Sequence, residues 1–209
     1  MAVRVDHTVT AGTFSLDGQT FDVDNNVWVL GDDTECVVVD APHDVDAILA
    51  VVAGRRVRAI LATHAHDDHV RVAPALARAT GAPVLLHPAD RVLWDLVHPD
   101  EPPGGELLDG GTVEVAGTSL LVLHTPGHSP GACCFHAPAL GVVFTGDTLF
   151  AGGPGATGRS YSDFGTIIRS VRNLLLTLPP ETVVHTGHGA STTIGAEAPH
   201  LEEWVARGR

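Results

Sequence analysis

The sequence predicts an α/β protein in which two mixed β-sheets pack face to face, with helices on the outside. Three features of the element order lead to this fold class. The first half alternates strands and helices, the second half repeats strands, helix, strand and helix, and the strands between residues 112 and 145 have no helices between them. Parallel strands need crossover connections, so a doubly wound parallel sheet fits this order worse than two mixed sheets.

The first half begins with two predicted strands and continues as alternating strands and helices. The strands are apolar or alternating runs bounded by turn residues, and two of the helices end at a glycine. The predicted strands are residues 9–16, 26–30, 36–40, 57–62 and 83–86. The predicted helices are residues 44–53, 70–79 and 89–97.

The second half begins with a turn-rich loop over residues 99–111, which we interpret as a flap over a functional site. A long amphipathic helix follows later, with apolar residues at helical spacing up to Leu178 and a stop at Pro179. The predicted strands are residues 112–115, 119–124, 132–136, 142–145 and 182–185. The predicted helices are residues 164–178 and 196–206.

The length allows one large domain or two small ones, and 44% hydrophobic and 18% charged residues are typical of a globular protein. We predict a single domain over residues 1–209. The apolar runs are too short to span a bilayer and the first residues lack an apolar signal core, so we expect a cytoplasmic protein without a membrane partner. The net charge of −13 repels phosphate backbones, which argues against binding to nucleic acid.

The three cysteines, Cys36, Cys133 and Cys134, are interpreted as small hydrophobic residues. They include no Cys-x-x-Cys pair, and an odd count argues against a disulfide framework. Neighbouring residues of a strand point to opposite faces, so Cys133 and Cys134 should face different sides of their sheet.

The most informative stretch is T-H-A-H-D-D-H at residues 63–69, directly after the predicted strand 57–62. It places His64, His66, Asp68 and His69 in one loop at the end of that strand. Imidazole nitrogens and carboxylate oxygens are the ligands that Zn²⁺ and harder divalent metals bind, and no thiolate is required. A histidine-rich surface loop is the alternative for this stretch taken alone.

Three further candidate ligands, His128, Asp147 and His188, each follow a strand-like run and each come directly after a glycine. Glycine allows a sharp backbone turn and a close approach to a buried ion. Each loop is weak evidence by itself, but in this chain order the four segments together indicate a metal centre.

These motifs resemble those of the metallo-β-lactamase superfamily, and within it the glyoxalase II-like (hydroxyacylglutathione hydrolase-like) branch, over nearly the whole chain. The resemblance implies a four-layer αββα sandwich with the site at one edge of the two sheets. It implies two metal sites that share a bridging carboxylate. The implied ligands are His64, His66 and His128 for the first metal, Asp68, His69 and His188 for the second, and Asp147 for the bridge.

The resemblance also implies roles beyond metal binding. Asp68 and Asp147 are the expected catalytic carboxylates, and Asp40, at the end of its strand, is expected to orient a ligand histidine. The expected cofactors are two divalent ions, Zn²⁺ first, with Fe or Mn as alternatives. Such a centre lowers the pKa of bound water from 15.7 to roughly 7 and so provides a hydroxide that attacks a carbonyl.

The expected activity is therefore hydrolysis of a small-molecule thioester. A thiolate leaves without a proton, which suits a set of matched residues that includes no obvious general acid. The alternatives are a lactonase or esterase of the same fold, a persulfide dioxygenase with one iron, and a metal-binding scaffold without activity. Structural zinc sites are closed and usually rich in thiolates, so the residue set favours catalysis. Monomer and homodimer both remain open.

Two departures from the long glyoxalase II proteins concern the thiol carrier. The expected C-terminal helical domain that helps to bind glutathione does not follow His188, and the chain contains no lysine to bind the glutathione carboxylates. A small thiol other than glutathione therefore stays open as the carrier.

The stretch G-H-S-P-G at residues 127–131 also fits the Gly-x-Ser-x-Gly pattern of serine hydrolases. The oxyanion hole of that motif uses the backbone N–H of the residue after the serine, and here this residue is Pro130, which has none. The serine-nucleophile interpretation is therefore rejected.

The glycine-rich loop at residues 151–163 is the predicted substrate-recognition segment, because it begins close after Asp147. Arg159 offers a fixed positive charge for an anionic substrate, and Tyr161 offers a hydrogen bond to the substrate carbonyl. The alternative is that Arg159 pairs with Asp163 and that Tyr161 packs on the following helix.

Overall fold

Two six-stranded sheets form the centre of the computed structural model, which describes residues 2–208. The first sheet contains β1 (Arg4–Leu16), β2 (Gln19–Gly31), β3 (Glu35–Val39), β4 (Arg56–Leu61), β5 (Val84–Leu86) and β6 (Gly105–Glu106). These strands lie side by side in chain order. The pairs β1–β2 and β2–β3 are antiparallel and the next three pairs are parallel, so the sheet is mixed.

The second sheet is built from the later strands. They are β7 (Thr112–Val115), β8 (Thr118–His124), β9 (Cys133–Ala137), β10 (Val142–Gly146), the small hairpin of β11 (Leu149–Phe150) and β12 (Gly153–Pro154), and then β13 (Val183–Thr186) and β14 (Thr192–Thr193). The sheet order is β14-β13-β10-β9-β8-β7, and only β10 and β13 run parallel. The small hairpin stands apart as its own sheet.

The helices cover the outer faces of both sheets. They are α1 (Val45–Val52), α2 (Asp67–Val70), α3 (Ala73–Thr80), α4 (Arg91–Val97), α5 (Phe164–Ser170), α6 (Ile194–Glu197) and α7 (Leu201–Arg207). Short 3-10 turns precede α4 and α7, and α5 continues as a π-helical stretch over Val171–Leu175. Among residues 2–208, no helix is both long and apolar enough to cross a bilayer.

Three hydrophobic cores separate these layers. One lies between the first sheet and α1, α3 and α4, a second lies between the two sheets, and a third lies between the second sheet and α5 and α7. The predicted fold class, a four-layer αββα sandwich of two mixed sheets, is confirmed. The single domain over residues 1–209 stays a prediction.

The cysteines occupy the positions expected of small hydrophobic residues. All three are free and fully buried. Cys133 belongs to the core between the sheets and Cys134 to the core under α5, so the two face opposite sides of β9.

Two predictions about the segments near the site were wrong. The predicted helix 70–79 is two helices, because α2 begins within the histidine loop at Asp67 and the chain breaks before Ala73, with Pro74 in the first turn of α3. The loop at residues 99–111 is not a flap over the site. It instead adds β6 to the edge of the first sheet beside β5.

The hairpin of β1 and β2 extends further than the sequence predicted. The two strands pair along their whole lengths, from Arg4 with Gly31 to Leu16 with Gln19, but β3 pairs only with the last part of β2, from Trp28 onward. The free end of this hairpin is therefore a two-stranded ribbon. It approaches the site described next.

Candidate metal centre

The predicted ligands come together at the ends of four strands, β4, β8, β10 and β13, which deliver their following loops to one place. His64 and His66 follow β4, while Asp68 and His69 belong to the short helix α2. The structure arranges seven predicted ligands in overlapping groups with converging nitrogen and oxygen atoms, within 4.8 Å of one another in each group. Their function as metal ligands stays a prediction.

The first group, here named the first triad, consists of His64, His66 and His128. The Nε2 atom of His64 lies 2.9 Å from Nδ1 of His66, and Nε2 of His128 lies 3.0 Å from the same Nδ1. All three side chains are buried. Three imidazole nitrogens therefore converge on one point.

The second triad consists of Asp68, His69 and His188. Oδ2 of Asp68 lies 3.3 Å from Nε2 of His188 and 3.6 Å from Nε2 of His69. The two histidine nitrogens are 3.3 Å apart. His188 is the more exposed member, with 25% of its side chain accessible, against 1% for His69 and 4% for Asp68.

Asp147 lies between the two triads. Its Oδ1 is 3.3 Å from Nε2 of His69, and its Oδ2 is 3.6 Å from Nε2 of His128 and 3.5 Å from Nε2 of His188. One carboxylate thus faces a histidine of each triad, which is the position that a bridging ligand requires.

The second ring nitrogen of four histidines is fixed by an oxygen atom outside the cluster. Nδ1 of His64 donates to Oγ1 of Thr63, and Nδ1 of His69 donates to Oδ2 of Asp40. Nδ1 of His128 donates to the Ala156 carbonyl, and Nδ1 of His188 donates to the Asp24 carbonyl. The four distances are 2.8–3.1 Å. Carbonyl and carboxylate oxygens only accept hydrogen bonds, so Nδ1 carries a proton in these rings and Nε2 is the atom that faces the cluster and can bind a metal ion. This arrangement is typical of metal-binding histidines.

Two buried polar atoms of the cluster have no hydrogen-bond partner, Asp147 Oδ1 and His66 Nε2. A buried acceptor without a donor costs free energy, and a cation beside Asp147 Oδ1 would satisfy it. The donor set of imidazole nitrogen and carboxylate oxygen matches Zn²⁺, Fe²⁺ and Mn²⁺. The residues therefore fit two divalent cations, one in each triad, with Asp147 between them.

Two histidines of the first triad, His64 and His66, favour the neutral form. Burial, followed by the positive charges of neighbouring imidazoles, holds the pKa of His64 well below its usual value and lowers the pKa of His66 to about 3. A neutral imidazole is the form that binds metal, so no proton needs to leave these two rings.

The second triad has the opposite tendency. Burial alone would lower the pKa of His69 and His188, but the negative charges of Asp147 and Asp68 outweigh it. The pKa of His69 is raised well above its usual value and that of His188 to about 10. Burial raises the pKa of Asp147, but the positive charges of His69 and His188 outweigh this effect and hold the pKa well below its usual value. A metal ion here would take the place of protons.

Asp40 contacts both triads from outside. Its Oδ2 accepts hydrogen bonds from Nδ1 of His69 and from Oγ1 of Thr63, both at 2.8 Å, and Thr63 Oγ1 in turn accepts from Nδ1 of His64. Oδ1 of Asp40 accepts from the Thr63 backbone N–H at 2.7 Å. These are the contacts that its predicted orienting role requires.

Asn25 is a site residue that the sequence analysis missed. It is 1% exposed, and its Nδ2 donates to Oδ2 of Asp68 at 3.1 Å, while its Oδ1 lies 2.8 Å from Nε2 of His43. The chain His43–Asn25–Asp68 orients a carboxylate of the second triad. An amide within a polar run carries no sequence signal for a metal centre.

Asp90 is the second missed residue, and it joins the two loops of the first triad. Its fully buried carboxylate accepts from the backbone N–H of Ala65 and from Oγ of Ser129, each at 2.8 Å, and from the N–H of Gly131. Ala65 lies between two ligands and Ser129 follows a third. The serine of the rejected nucleophile motif therefore has a supporting role, and the carboxylate shortly after β5 was its available signal.

The glycines before Asp147 and His188 are required by close contacts within the centre. A Cβ on Gly187 would lie 2.3 Å from Oδ1 of Asp147, and one on Gly146, whose φ is 48°, would lie 2.4 Å from Oγ1 of Thr63. Any side chain at either position would displace a residue of the centre.

A cavity of about 220 Å³ opens onto both triads. The β1–β2 hairpin contributes Phe14, Phe21 and Val23 to its wall, and the loop after β12 contributes Ala156 and Arg159. The Arg159 guanidinium lies over both aromatic rings, 5.1 Å from the centre of Phe14 and 4.7 Å from that of Phe21. Its Nη1 is buried without a hydrogen-bond partner.

The other residues of the predicted substrate loop lie elsewhere. Asp163 caps α5 by accepting from the Thr166 backbone N–H at 2.7 Å, and no ion pair joins it to Arg159 within residues 2–208. Tyr161 is 47% exposed and does not line the cavity. Its hydrogen bond to a substrate carbonyl stays a prediction.

Comparison with known proteins agrees with this geometry. The family model described as the metallo-beta-lactamase superfamily matches residues 20–188. A hydroxyacylglutathione hydrolase of Fuscovulum blasticum is 35% identical over 168 residues, which are 79% of this chain and 62% of that protein. A probable metallo-hydrolase of Bacillus subtilis, YqgX, is 31% identical over 186 residues and covers 82% of this chain and 88% of its own length.

Solved structures share the fold over most of the chain. The BLEG-1 B3 metallo-beta-lactamase is 29% identical with a TM-score of 0.79, covering 93% of this chain and 99% of its own. TTHA1623 in a di-iron-bound form is 36% identical with a TM-score of 0.75, covering 84% and 93%. ETHE1 from Myxococcus xanthus is 25% identical with a TM-score of 0.75, covering 95% and 89%.

Proposed function

The chain belongs to the metallo-β-lactamase superfamily of metal-binding hydrolases, and we propose that it hydrolyses a thioester that carries an anionic group. The proposal combines the chemistry of the cavity wall with the name of one relative. Hydrolysis of an acyl derivative of glutathione, a thiol, is stated in the name of the Fuscovulum blasticum protein.

The titratable groups of the cavity wall carry the proposal. Its ionisable side chains are those of the metal centre, namely His66, Asp68, His128, Asp147 and His188, together with Arg159. Metal ligands are deprotonated and Arg stays protonated, so this wall has no group that can give a proton to a leaving alkoxide. A thiol has a pKa of about 8.5, so a thiolate departs without a proton donor.

The protein side chains position the substrate. Arg159, stacked on Phe14 and Phe21, presents an unpaired guanidinium nitrogen that suits a substrate carboxylate. The two aromatic rings give the cation a fixed place at the cavity wall. In a chain with a net charge of −13, this local positive charge is what allows an anionic substrate to bind.

The metal centre supplies the remaining chemistry. The first triad and the second triad would each hold one divalent ion, with Asp147 shared, and we propose Zn²⁺, with Fe and Mn as alternatives. When bound, such ions act as Lewis acids and lower the pKa of water, which makes a nucleophile available near neutral pH. Asp40, Asn25 and Asp90 keep the ligand side chains in place.

The direct test compares two substrates with the same acyl group. S-acyl glutathione and the matching oxygen ester are given to one preparation of the purified protein, and the initial rates are compared. We expect the thioester to react at least about 100-fold faster, because only the oxygen leaving group needs a proton. Equal rates, or faster reaction of a lactone, would favour the lactonase or esterase alternative.

The persulfide alternative is tested in the same way. Oxygen consumption with glutathione persulfide, by protein that contains a single iron, would replace the hydrolase proposal by a dioxygenase. Zinc-loaded protein that hydrolyses the thioester without consuming oxygen would support it.

Replacement of Arg159 tests the anionic part of the proposal. Arg159→Ala should raise KM for S-acyl glutathione by about tenfold or more and change KM for neutral S-acyl N-acetylcysteamine much less, with metal content unchanged. Arg172→Ala is the control, because Arg172 pairs with the exposed Glu202 of α7 and is not among the residues that line the cavity. An equal effect on both substrates would remove Arg159 from substrate recognition.

A further inference from the structure

The free end of the β1–β2 hairpin is attached to the histidine loop by an ion pair of α2. Asp67 and Arg71 are paired through Oδ2 and Nη2 at 2.5 Å. Oδ1 of Asp67 accepts a hydrogen bond from the backbone N–H of Ser15 at 3.0 Å. Arg71 donates from Nη2 to the Thr13 carbonyl at 2.6 Å and from Nη1 to the Thr13 hydroxyl at 3.1 Å.

Phe14 lies between the two attached residues, and its ring is part of the cavity wall. The ring centre lies 5.1 Å from that of His66 and 5.1 Å from the Arg159 guanidinium carbon. Phe14 is paired across the hairpin with Phe21, the second ring under Arg159. The attachment therefore places both aromatic rings relative to the first triad.

The hairpin end has little else to hold it. Within residues 13–22 no side chain is fully buried, and β3 does not pair with this part of β2. A two-stranded ribbon is marginally stable in water by itself. A second anchor lies at the tip, where Oδ2 of Asp17 accepts from the Ser160 backbone N–H at 3.0 Å.

We propose that the Asp67–Arg71 pair is a positioning element for substrate recognition, which fixes the hairpin so that Phe14 and Phe21 hold Arg159 against the cavity. Asp67 occupies the position between His66 and Asp68 and is not a candidate ligand. The pair acts through the hairpin, so it determines how an anionic substrate binds and leaves the metals unaffected. This inference rests on the proposed function in one respect, which is the negative charge of the substrate.

An ordinary surface ion pair would have no such effect. Exposed Arg–Asp pairs contribute little to stability, and the Arg71 side chain is 37% accessible. What separates this pair from an ordinary one is its contact with the backbone on both sides of Phe14. The chain offers a matched pair without such a contact, Arg91 and Asp95, which is also spaced i,i+4 at 2.5 Å, on α4.

The test replaces each arginine by methionine, which keeps the length of the side chain. Hydrogen exchange of the backbone amides over residues 12–22 is measured in metal-loaded protein. Arg71→Met should accelerate exchange in this segment by about tenfold, because three hydrogen bonds to and near it are lost. Arg91→Met should leave it unchanged, and unchanged exchange in Arg71→Met would overturn the proposed attachment.

Recognition is measured separately by calorimetric binding of two unreactive thioethers, S-methylglutathione as the anionic probe and S-methyl-N-acetylcysteamine as the neutral one. In Arg71→Met we expect about tenfold weaker binding of the anionic probe, with little change for the neutral one. The metal content should stay at two per chain, as in the wild type. Arg71→Lys should recover part of the affinity for the anionic probe. Equal loss for both probes, or loss of metal, would show that the pair only supports the histidine loop.

The two proposals fail in different ways. If the wild-type protein bound the anionic probe but hydrolysed no thioester, the proposed function would be wrong and the positioning role would stand. If thioester hydrolysis were present but Arg71→Met changed neither exchange nor binding, the positioning role alone would be wrong.

Discussion

The first triad, His64, His66 and His128, and the second triad, Asp68, His69 and His188, lie side by side but differ in charge and support. The first contains only imidazoles, and burial keeps the pKa of two of them low. The second contains a carboxylate and lies against Asp147, so the pKa of its histidines is raised. Metal binding therefore requires almost no proton release from His64 and His66 and a larger release from His69 and His188.

The two triads are also held by different residues. Asp90 connects the backbone of the two loops that carry the first triad. Asn25 and Asp40 instead contact side chains of the second triad, and His188 at its edge is partly exposed. The first site is thus a rigid backbone arrangement, while the second depends on individual side-chain hydrogen bonds. We expect the first site to bind metal more tightly.

The largest effect is expected where the two triads meet. Asp147→Asn removes a charge that faces His69, His128 and His188, so both sites should lose metal. Turnover should fall by more than about 100-fold, which exceeds the effect expected for a residue that only orients a ligand. Elemental analysis after gel filtration measures the loss. Loss of a single metal with turnover retained would show that Asp147 belongs to one site only.

Replacement of Asp40 should affect both triads less strongly. Asp40→Ala removes the acceptor for Nδ1 of His69 and for Thr63, whose hydroxyl accepts from His64. Metal affinity or activity should fall by roughly 10–100-fold without loss of folding. Competition with a chromophoric chelator gives the affinity and circular dichroism reports the fold. Wild-type affinity in this variant would reduce Asp40 to a strand-end contact.

Replacement of Asp90 should separate the two triads. Asp90→Asn keeps the shape of the side chain, but its amide N–H would face the hydrogen-bond donors of Ala65, Ser129 or Gly131. Metal affinity of the first site should therefore fall by roughly tenfold, while that of the second site should not change. The visible spectrum of protein loaded with one equivalent of Co²⁺ reports the geometry of the tighter site. An unchanged spectrum and affinity would show that Asp90 does not position the first triad.

A change of pH should also separate the two triads. At pH 7 the raised pKa values of His69 and His188 leave both rings protonated until metal displaces the protons, whereas His64 and His66 are already neutral. Lowering the pH from 7 to 5 should therefore weaken the second site by roughly tenfold per unit for each displaced proton, and the first site much less. Equal loss of both metals on acidification would contradict this difference between the triads.

The sequence predicted more of the centre than of what surrounds it. Residues 63–69, with His128, Asp147 and His188, are recognisable because imidazole and carboxylate at strand ends have few other uses, and the structure brings all seven predicted ligands together. The αββα fold followed from the element order in the same way. In both cases a local pattern carries the information.

The surrounding residues were missed because their roles depend on distant contacts. Asn25 and Asp90 resemble ordinary polar loop residues until the fold brings them against the two triads. The loop at residues 99–111 was predicted to be a flap over the site, while the structure places Phe14 and Phe21 of the first hairpin in the cavity wall. How far a hairpin projects beyond its sheet is determined by strand pairing, which the local sequence does not specify.

The most direct test of the account is a calorimetric titration of chelator-treated protein with Zn²⁺ at pH 7, repeated for His128→Gln and His188→Gln. We expect two binding events per chain in the wild type, the tighter one lost in His128→Gln and the weaker one, which releases more protons to the buffer, lost in His188→Gln. A single event of one metal per chain in the wild type, abolished equally by both substitutions, would contradict the two-metal centre.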